Sequence, residues 1–253
     1  RAVRDGYRVE NDALVAGFAS MDARAQASWR FQRYAKDYLR TAQGVDESVG
    51  GILAELDRLG IAENTIVVYT SDQGWFLGEH GWFDKRWMYE ESFRTPLVVR
   101  WPRVIPAGAT SRALVQNLDF APTFLEAAGV AVPADMQGRS MVALLKASGD
   151  EAKRAAAPFR EATYYRFEES KGPHTVPRHE GVATVKAKLI RFLDLKDKDG
   201  KPILELYDLA ADPDERRNLA GEADAAPLLT EMLARLGALR AEYGAPADPA
   251  VTP

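Results

Sequence analysis

Thr65-Ile-Val-Val-Tyr-Thr-Ser-Asp-Gln-Gly74 decides the fold. Residues 65–70 are β-branched, aromatic or apolar, the composition of a strand buried on both faces of a parallel sheet, and the polar Ser71-Asp-Gln-Gly74 makes a sharp exit from it. Upstream, Phe31, Tyr34, Tyr38, Leu39, Ala42, Val45, Val49, Ile52, Leu53, Leu56 and Leu59 recur at three- and four-residue steps. That spacing predicts one face of a long helix over 29–59, stopped by Gly60, with Gly44, Gly50 and Gly51 marking a place to kink or break. Residues 1–28 have weak periodicity and read as an irregular lead-in. Downstream, Pro96-Leu-Val-Val-Arg-Trp101 is a second short strand limited by its prolines. Asp119-Phe-Ala-Pro-Thr-Phe-Leu-Glu-Ala-Ala-Gly129 is a compact helix with Asp119 as N-cap and Gly129 as stop. Helix, turn and buried strand in this order define an α/β layer.

From Gly149 the texture changes. A polar, Ala-rich stretch to Pro158 precedes four short runs with antiparallel character, 162–168, 181–186, 189–195 and 203–209, with Asp199-Gly200 as a hairpin turn between the last two. Leu228, Leu229, Met232, Leu233, Leu236 and Leu239 then line one face of a helix over 226–243, and the Pro- and Ala-rich tail 244–253 is expected to fray. The organisation is therefore an α/β part over 1–150 and a smaller subdomain of antiparallel sheet plus helix over 151–253.

Composition narrows the function. The 253 residues carry 33 Lys and Arg against 37 Asp and Glu, a formal charge of −4, so no global positive field attracts nucleic acid. No apolar run approaches the ~20 residues that cross a bilayer, so no membrane partner is expected. The chain has no Cys, which removes disulfides, thiolate metal sites and cysteine nucleophiles. Chemistry here rests on oxygen and nitrogen.

In open α/β sheets, ligands gather beyond the carboxyl ends of strands, where Asp72 and Gln73 emerge. A carboxylate beside an amide offers two hard oxygen donors, suited to Ca²⁺ or Mg²⁺; the same residues also suit a plain Asp-capped turn. Next come Glu79, His80, Asp84, Lys85 and Arg86, among Trp75, Gly78, Gly81, Trp82, Phe83 and Trp87. Cations among aromatics and glycines suit an anionic or sugar-like ligand, and they equally suit a packed aromatic loop with a solvated rim. His80 alone reads as well as a structural imidazole as a functional one. Asp197-Lys-Asp-Gly200 lacks the first and last ligands of a calcium-binding EF-hand loop and reads as a turn.

Ser71-Asp-Gln-Gly74, Gly78-Glu-His-Gly-Trp-Phe-Asp-Lys-Arg86, Met88-Tyr-Glu-Glu-Ser-Phe-Arg-Thr-Pro-Leu-Val-Val-Arg-Trp-Pro102, residues 117–129, Gln137-Gly-Arg-Ser140 and Glu205-Leu-Tyr-Asp-Leu-Ala-Ala-Asp-Pro-Asp-Glu-Arg-Arg-Asn-Leu219 together resemble the C-terminal half of a type I sulfatase. The loop around Lys85 is most similar to bacterial glycan sulfatases of the N-acetylglucosamine-6-sulfatase and iduronate-2-sulfatase types. This resemblance implies the C-terminal half of an alkaline phosphatase-like sandwich, with a small antiparallel-sheet-plus-helix subdomain. It also implies a sulfuric ester hydrolase acting on a sulfated sugar or glycosaminoglycan-like glycan, periplasmic or secreted.

Carried over by position, Asp72 and Gln73 match the pair that helps hold the family's divalent metal, usually Ca²⁺ and less often Mg²⁺. Gln73 stands where other members have Asn or His. Lys85 matches the lysine that contacts the sulfate; His80 is placed with it as catalytic. Arg86, on the same loop as His80, is given a role near the sulfate or the sugar, and His179 matches a loop that in glycan sulfatases approaches the substrate, although a surface histidine would explain His179 as well. The departure is the nucleophile. The family uses formylglycine, made from Cys or Ser in a Cys/Ser-x-Pro-x-Arg motif, and this chain contains no such motif. The early metal-binding aspartates are missing too. The formylglycine is therefore expected in an N-terminal half, and these residues alone are expected to be inactive. Two alternatives stand beside this reading: a phosphonate or phosphate monoester hydrolase of the same superfamily, and a non-catalytic glycan-binding module.

Overall fold

A computed structural model describes residues 17–147, 159–169 and 174–248. They fall into two compact units: residues 1–85 with 91–102, and residues 86–90 with 103–253. The expected domain boundary at 150 and the Ala-rich stretch beside it lie outside the described residues, as do residues 1–16 of the lead-in.

The first unit is built on α1, Ala23–Arg58, which runs without a break through Gly44, Gly50 and Gly51 and so corrects the expected kink. It also starts earlier than the periodicity suggested. The Asp22 carboxylate accepts from the Ala25 N–H at 2.8 Å, a cap worth about 1 kcal/mol that fixes the start, and Gly60 at φ 68° ends it. The apolar stripe is present, yet α1 buries none of its residues; Leu39 and Ile52 are 62% and 59% exposed.

Strand β1, Val67–Thr70, corrects a second expectation. It pairs with β4, Leu97–Arg100, in an antiparallel two-stranded ladder, Val67 facing Arg100 and Thr70 facing Leu97. Among the described residues β4 is the strand paired with β1, and Tyr69 and Val98 are exposed. Between them lies a hairpin, β2 Phe76–Leu77 against β3 Phe83–Asp84, followed by a single turn of helix, α2 Glu90–Phe93.

The second unit holds a four-stranded antiparallel sheet in the order β5 Thr163–Phe167, β6 His179–Ala183, β7 Ala187–Lys196, β8 Pro202–Asp208, close to the four expected runs. Alternation gives the sheet two faces. On one, Val182, Leu189 and Leu206 are cross-strand partners and pack on Met232 and Leu236 of α5, Ala226–Glu242, the helix read from its leucine spacing. On the other, His179 faces Phe192, Gly181 faces Ile190 and Lys188 faces Tyr207. The β7–β8 turn is closed by Asp197, whose carboxylate accepts from Asp199 and Lys201 N–H groups at 2.9 Å, as a turn and not a calcium loop.

Two short helices, α3 Phe120–Ala127 and α4 Val142–Lys146, complete the unit. Asp119 does not cap α3 with its side chain as expected. Its buried carboxylate instead accepts from the Gln116 and Arg139 N–H groups at 2.7 and 2.8 Å and takes both arms of Arg160 at 2.6 and 2.8 Å. Three backbone segments are thereby fixed by one charge pair. Of the tail, Asp248 is held by Arg191 and Arg240 at 2.8 and 3.1 Å.

Candidate active site

The residues singled out from sequence lie in both units. In the first, Asp72 and Gln73 leave β1 as expected, Asp72 exposed and Gln73 half-buried. Their path is set by the neighbouring chain. The Ser71 hydroxyl donates to the Gln73 carbonyl at 2.7 Å, and the Gly74 N–H donates to the Ser92 carbonyl at 2.7 Å. A Cβ at Gly74 would overlap the Glu91 carbonyl, so only glycine lets the strand exit run this close to α2. A carboxylate and an amide are donor types that suit a hard cation. Among the described residues no group of three His, Cys, Asp or Glu side chains is gathered for a metal.

The segment leading to Lys85 is the hairpin β2–β3. Its tip is a turn in which Trp82 and Gly81 N–H groups donate to Glu79 and Gly78 carbonyls at 2.9 and 3.0 Å, and the Glu79 carboxylate accepts from Leu77 N–H at 2.6 Å. His80 and Asp84 both take positive φ, 55° and 100°, rare for non-glycine residues and a mark of backbone held by its surroundings. The hairpin is anchored on α1: the Tyr34 hydroxyl donates to the Phe76 carbonyl at 3.0 Å and accepts from the Trp75 indole N–H. Phe31 lies against Gly78, where a Cβ would stand 3.2 Å from the ring.

His80 points into this hairpin. Its ring stacks on Trp82 at 5.7 Å, meets Phe76 edge-on, and brings Nε2 to 3.6 Å from the Glu91 carboxylate. Lys85 follows β3, half-buried, with its backbone carbonyl accepting from the Ser92 hydroxyl. Ser92 thus touches both the strand exit at Gly74 and Lys85, a link that no spacing rule would have disclosed.

Arg86 and His179 lie in the second unit, on the sheet face opposite α5. The Arg86 guanidinium is 3.4 Å from the Glu169 carboxylate, which also pairs with His174 at 3.1 Å. His179 corrects the surface alternative: it is fully buried, its ring stacked on Trp87 at 5.7 Å and tilted against Tyr165, Phe167 and Phe192. Nδ1 lies 2.9 Å from the Pro177 carbonyl, while Nε2 has no hydrogen-bond partner among the described residues. Burial, opposed by the Pro177 contact, pulls the imidazole down from 6.5 to about 4, so at neutral pH the ring is uncharged. A proton on Nδ1 would give the Pro177 carbonyl its donor and leave Nε2 as an acceptor lone pair for a hydroxyl. Lys85 and Arg86 are consecutive in the sequence.

The described fold is that of the sulfatases, and the chain belongs to the sulfatase family. Residues 78–242 match the family described as N-sulphoglucosamine sulphohydrolase, C-terminal, and residues 6–130 match the family described as sulfatase. Among individual relatives, N-acetylglucosamine-6-O-sulfatase of Bacteroides thetaiotaomicron is 46% identical over 243 residues, 95% of this chain and 42% of that protein. Arylsulfatase K of Xenopus laevis is 31% identical over 73% of this chain and 33% of its own length. A solved protein in complex with its substrate D-glucosamine-2-N,6-O-disulfate superposes with a TM-score of 0.84 at 43% identity, over 92% of this chain and 46% of that one. A phosphonate monoester hydrolase of Agrobacterium radiobacter, at 24% identity and a TM-score of 0.65, shares the fold. The chain spans less than half the length of the relatives it matches.

Proposed function

We propose that these residues are the C-terminal half of a sulfuric ester hydrolase that removes sulfate from a sulfated glucosamine. The observation that carries this reading is the 46% identity to an N-acetylglucosamine-6-O-sulfatase over 95% of the chain, a span that includes the whole of 75–92. Residues 1–150 then form the C-terminal part of the catalytic α/β domain and 151–253 its subdomain.

Each residue has a role that its surroundings support. Lys85, with its main chain fixed by Ser92, places an ammonium against a sulfate oxygen and steadies the negative charge that grows as the S–O bond breaks. His80, backed by Glu91, handles a proton near the departing sugar oxygen. Arg86 binds an anionic or hydroxyl oxygen of the sugar, and His179 offers its Nε2, without a partner among the described residues, to a sugar hydroxyl. Asp72 and Gln73 would hold Ca²⁺, or less readily Mg²⁺, which when bound draws charge from a sulfate oxygen. The nucleophile would be a formylglycine, for which residues 1–253 contain no Cys/Ser-x-Pro-x-Arg motif, so these residues alone are expected to be inactive. Among the described residues no helix is long and apolar enough to cross a membrane. We place the enzyme in the periplasm or outside the cell, where sulfated glycans are met.

The experiment is sulfate release by the full-length, formylglycine-matured protein from N-acetylglucosamine 6-sulfate, beside the matching phosphate ester. Preferential sulfate release supports the reading. Preference for the phosphate or a phosphonate ester favours the monoester hydrolase, and clear binding without turnover favours a glycan-binding module.

A further inference from the structure

Three charged side chains meet in the second unit without any part in the chemistry above. The Lys188 ammonium lies 2.7 Å from a Glu90 carboxylate oxygen and 2.8 Å from one of Glu215, and the Lys188 and Glu215 side chains are fully buried. The other Glu215 oxygen accepts from the backbone N–H of Glu90 at 2.6 Å. Glu215 reaches this point from a left-handed backbone, φ 50°, in a turn closed by Asp212, whose carboxylate accepts from the Arg216 and Arg217 N–H groups at 2.8 Å. Buried ion pairs give little net stability over apolar packing, so a strained turn that delivers a second carboxylate to one buried lysine calls for a positional reason.

The reason lies in what Glu90 terminates. Residues 86–90 run across the sheet face opposite α5, and each is tied to it. The Tyr165 hydroxyl donates to the Arg86 carbonyl at 3.4 Å. Trp87 stacks on His179. Met88 is buried so tightly against Gly181 that a Cβ there would overlap its sulfur. The Tyr89 hydroxyl donates to Glu205 at 2.6 Å. Glu90 closes the segment on Lys188 and Glu215. Strand alternation aims Lys188 and His179 at the same face, so the clamp and the substrate-facing groups share one rigid surface.

We propose that Glu215 and Lys188 are positioning residues that lock the Arg86–Glu90 segment, and through it Arg86 and the Trp87–His179 stack, in the arrangement that binds the sulfated sugar; this rests on the sulfatase reading. The sequence Asp212-Pro-Asp-Glu215, distant in the chain from the Lys85 loop, is then part of the substrate-binding apparatus.

The test uses the full-length matured protein with N-acetylglucosamine 6-sulfate. Glu215→Leu removes the acceptor and the charge; Glu215→Gln keeps an acceptor for the Glu90 N–H but loses the charge. The expected result is a KM raised about tenfold or more in Glu215→Leu with kcat changed less than threefold, a smaller rise in Glu215→Gln, and an unchanged circular dichroism spectrum for both. Wild-type KM in either folded variant, a loss confined to kcat, or variants that lose activity only in proportion to unfolded protein would overturn the proposal while leaving the sulfatase reading intact. A wild-type protein that releases no sulfate would overturn both.

Discussion

The Ser92 hydroxyl donates to the backbone carbonyl of Lys85. Because the Ser92 carbonyl also accepts from Gly74 N–H at 2.7 Å, this one buried serine is bonded both to the strand exit after β1 and to the main chain of Lys85. Ser92→Ala removes the bond to Lys85 and keeps the bond to Gly74. In the full-length enzyme, kcat is expected to fall about tenfold while the melting temperature falls by a few degrees, as one lost buried hydrogen bond of about 1 kcal/mol requires. Unchanged kcat would mean that Lys85 does not depend on this tether.

Metal binding gives a second expectation. Asp72→Asn preserves an oxygen donor and removes its charge, so affinity for Ca²⁺ in the full-length protein, measured by chelator competition, is expected to drop at least tenfold. Equal affinity would take Asp72 out of the ligand set.

His179 makes stability depend on pH in a defined direction. Its buried imidazole titrates at about 4 in the folded chain against 6.5 when exposed. The unfolded state therefore takes up the proton first as pH falls. The contribution is complete above 6.5 and is lost progressively down to about 4, amounting to about 3 kcal/mol. His179→Phe fits the aromatic surroundings and carries no proton. Urea unfolding from pH 7 to pH 4 is expected to show a shallower loss in this variant than in wild type, together with a raised KM for the sulfated sugar. Identical pH slopes would contradict the buried neutral ring.

Asp119 and Arg160 form a fully enclosed pair. Arg160→Met strands the carboxylate and is expected to cost about 3–5 kcal/mol. Replacing both, with Asp119→Leu, recovers only part, because the Gln116 and Arg139 N–H groups then lose their acceptor. A denaturant midpoint for the double variant equal to wild type would show that those two backbone bonds contribute nothing.

Local patterns carried much of this structure. The leucine spacing of α5, the turn at Asp197 and the four strands of the second unit follow from periodicity and turn chemistry, which act over a few residues. The long α1 was legible for the same reason, but its glycines did not break it, since thirty-six residues of continuous helix absorb three weak propensities. Thr65–Thr70 misled because an apolar β-branched run does not state its partners; β4 pairs with it antiparallel. Asp119 misled because a residue with cap chemistry was claimed by Arg160, 41 positions away. Among candidate site residues, Asp72, Gln73, Lys85 and Arg86 were singled out by the resemblance. Ser92, Glu215 and Lys188 were not, as their roles arise from contacts between segments far apart in the chain.

The central claim is that Lys85 steadies the charge on a sulfate ester as it breaks. The direct measurement is kcat/KM for sulfate release from N-acetylglucosamine 6-sulfate by the full-length, formylglycine-matured enzyme and its Lys85→Ala variant. The expected loss is roughly 10²–10³, the scale of removing one preorganised group from a developing anion, in a protein that folds as wild type does. A folded Lys85→Ala enzyme with wild-type kcat/KM would contradict the account.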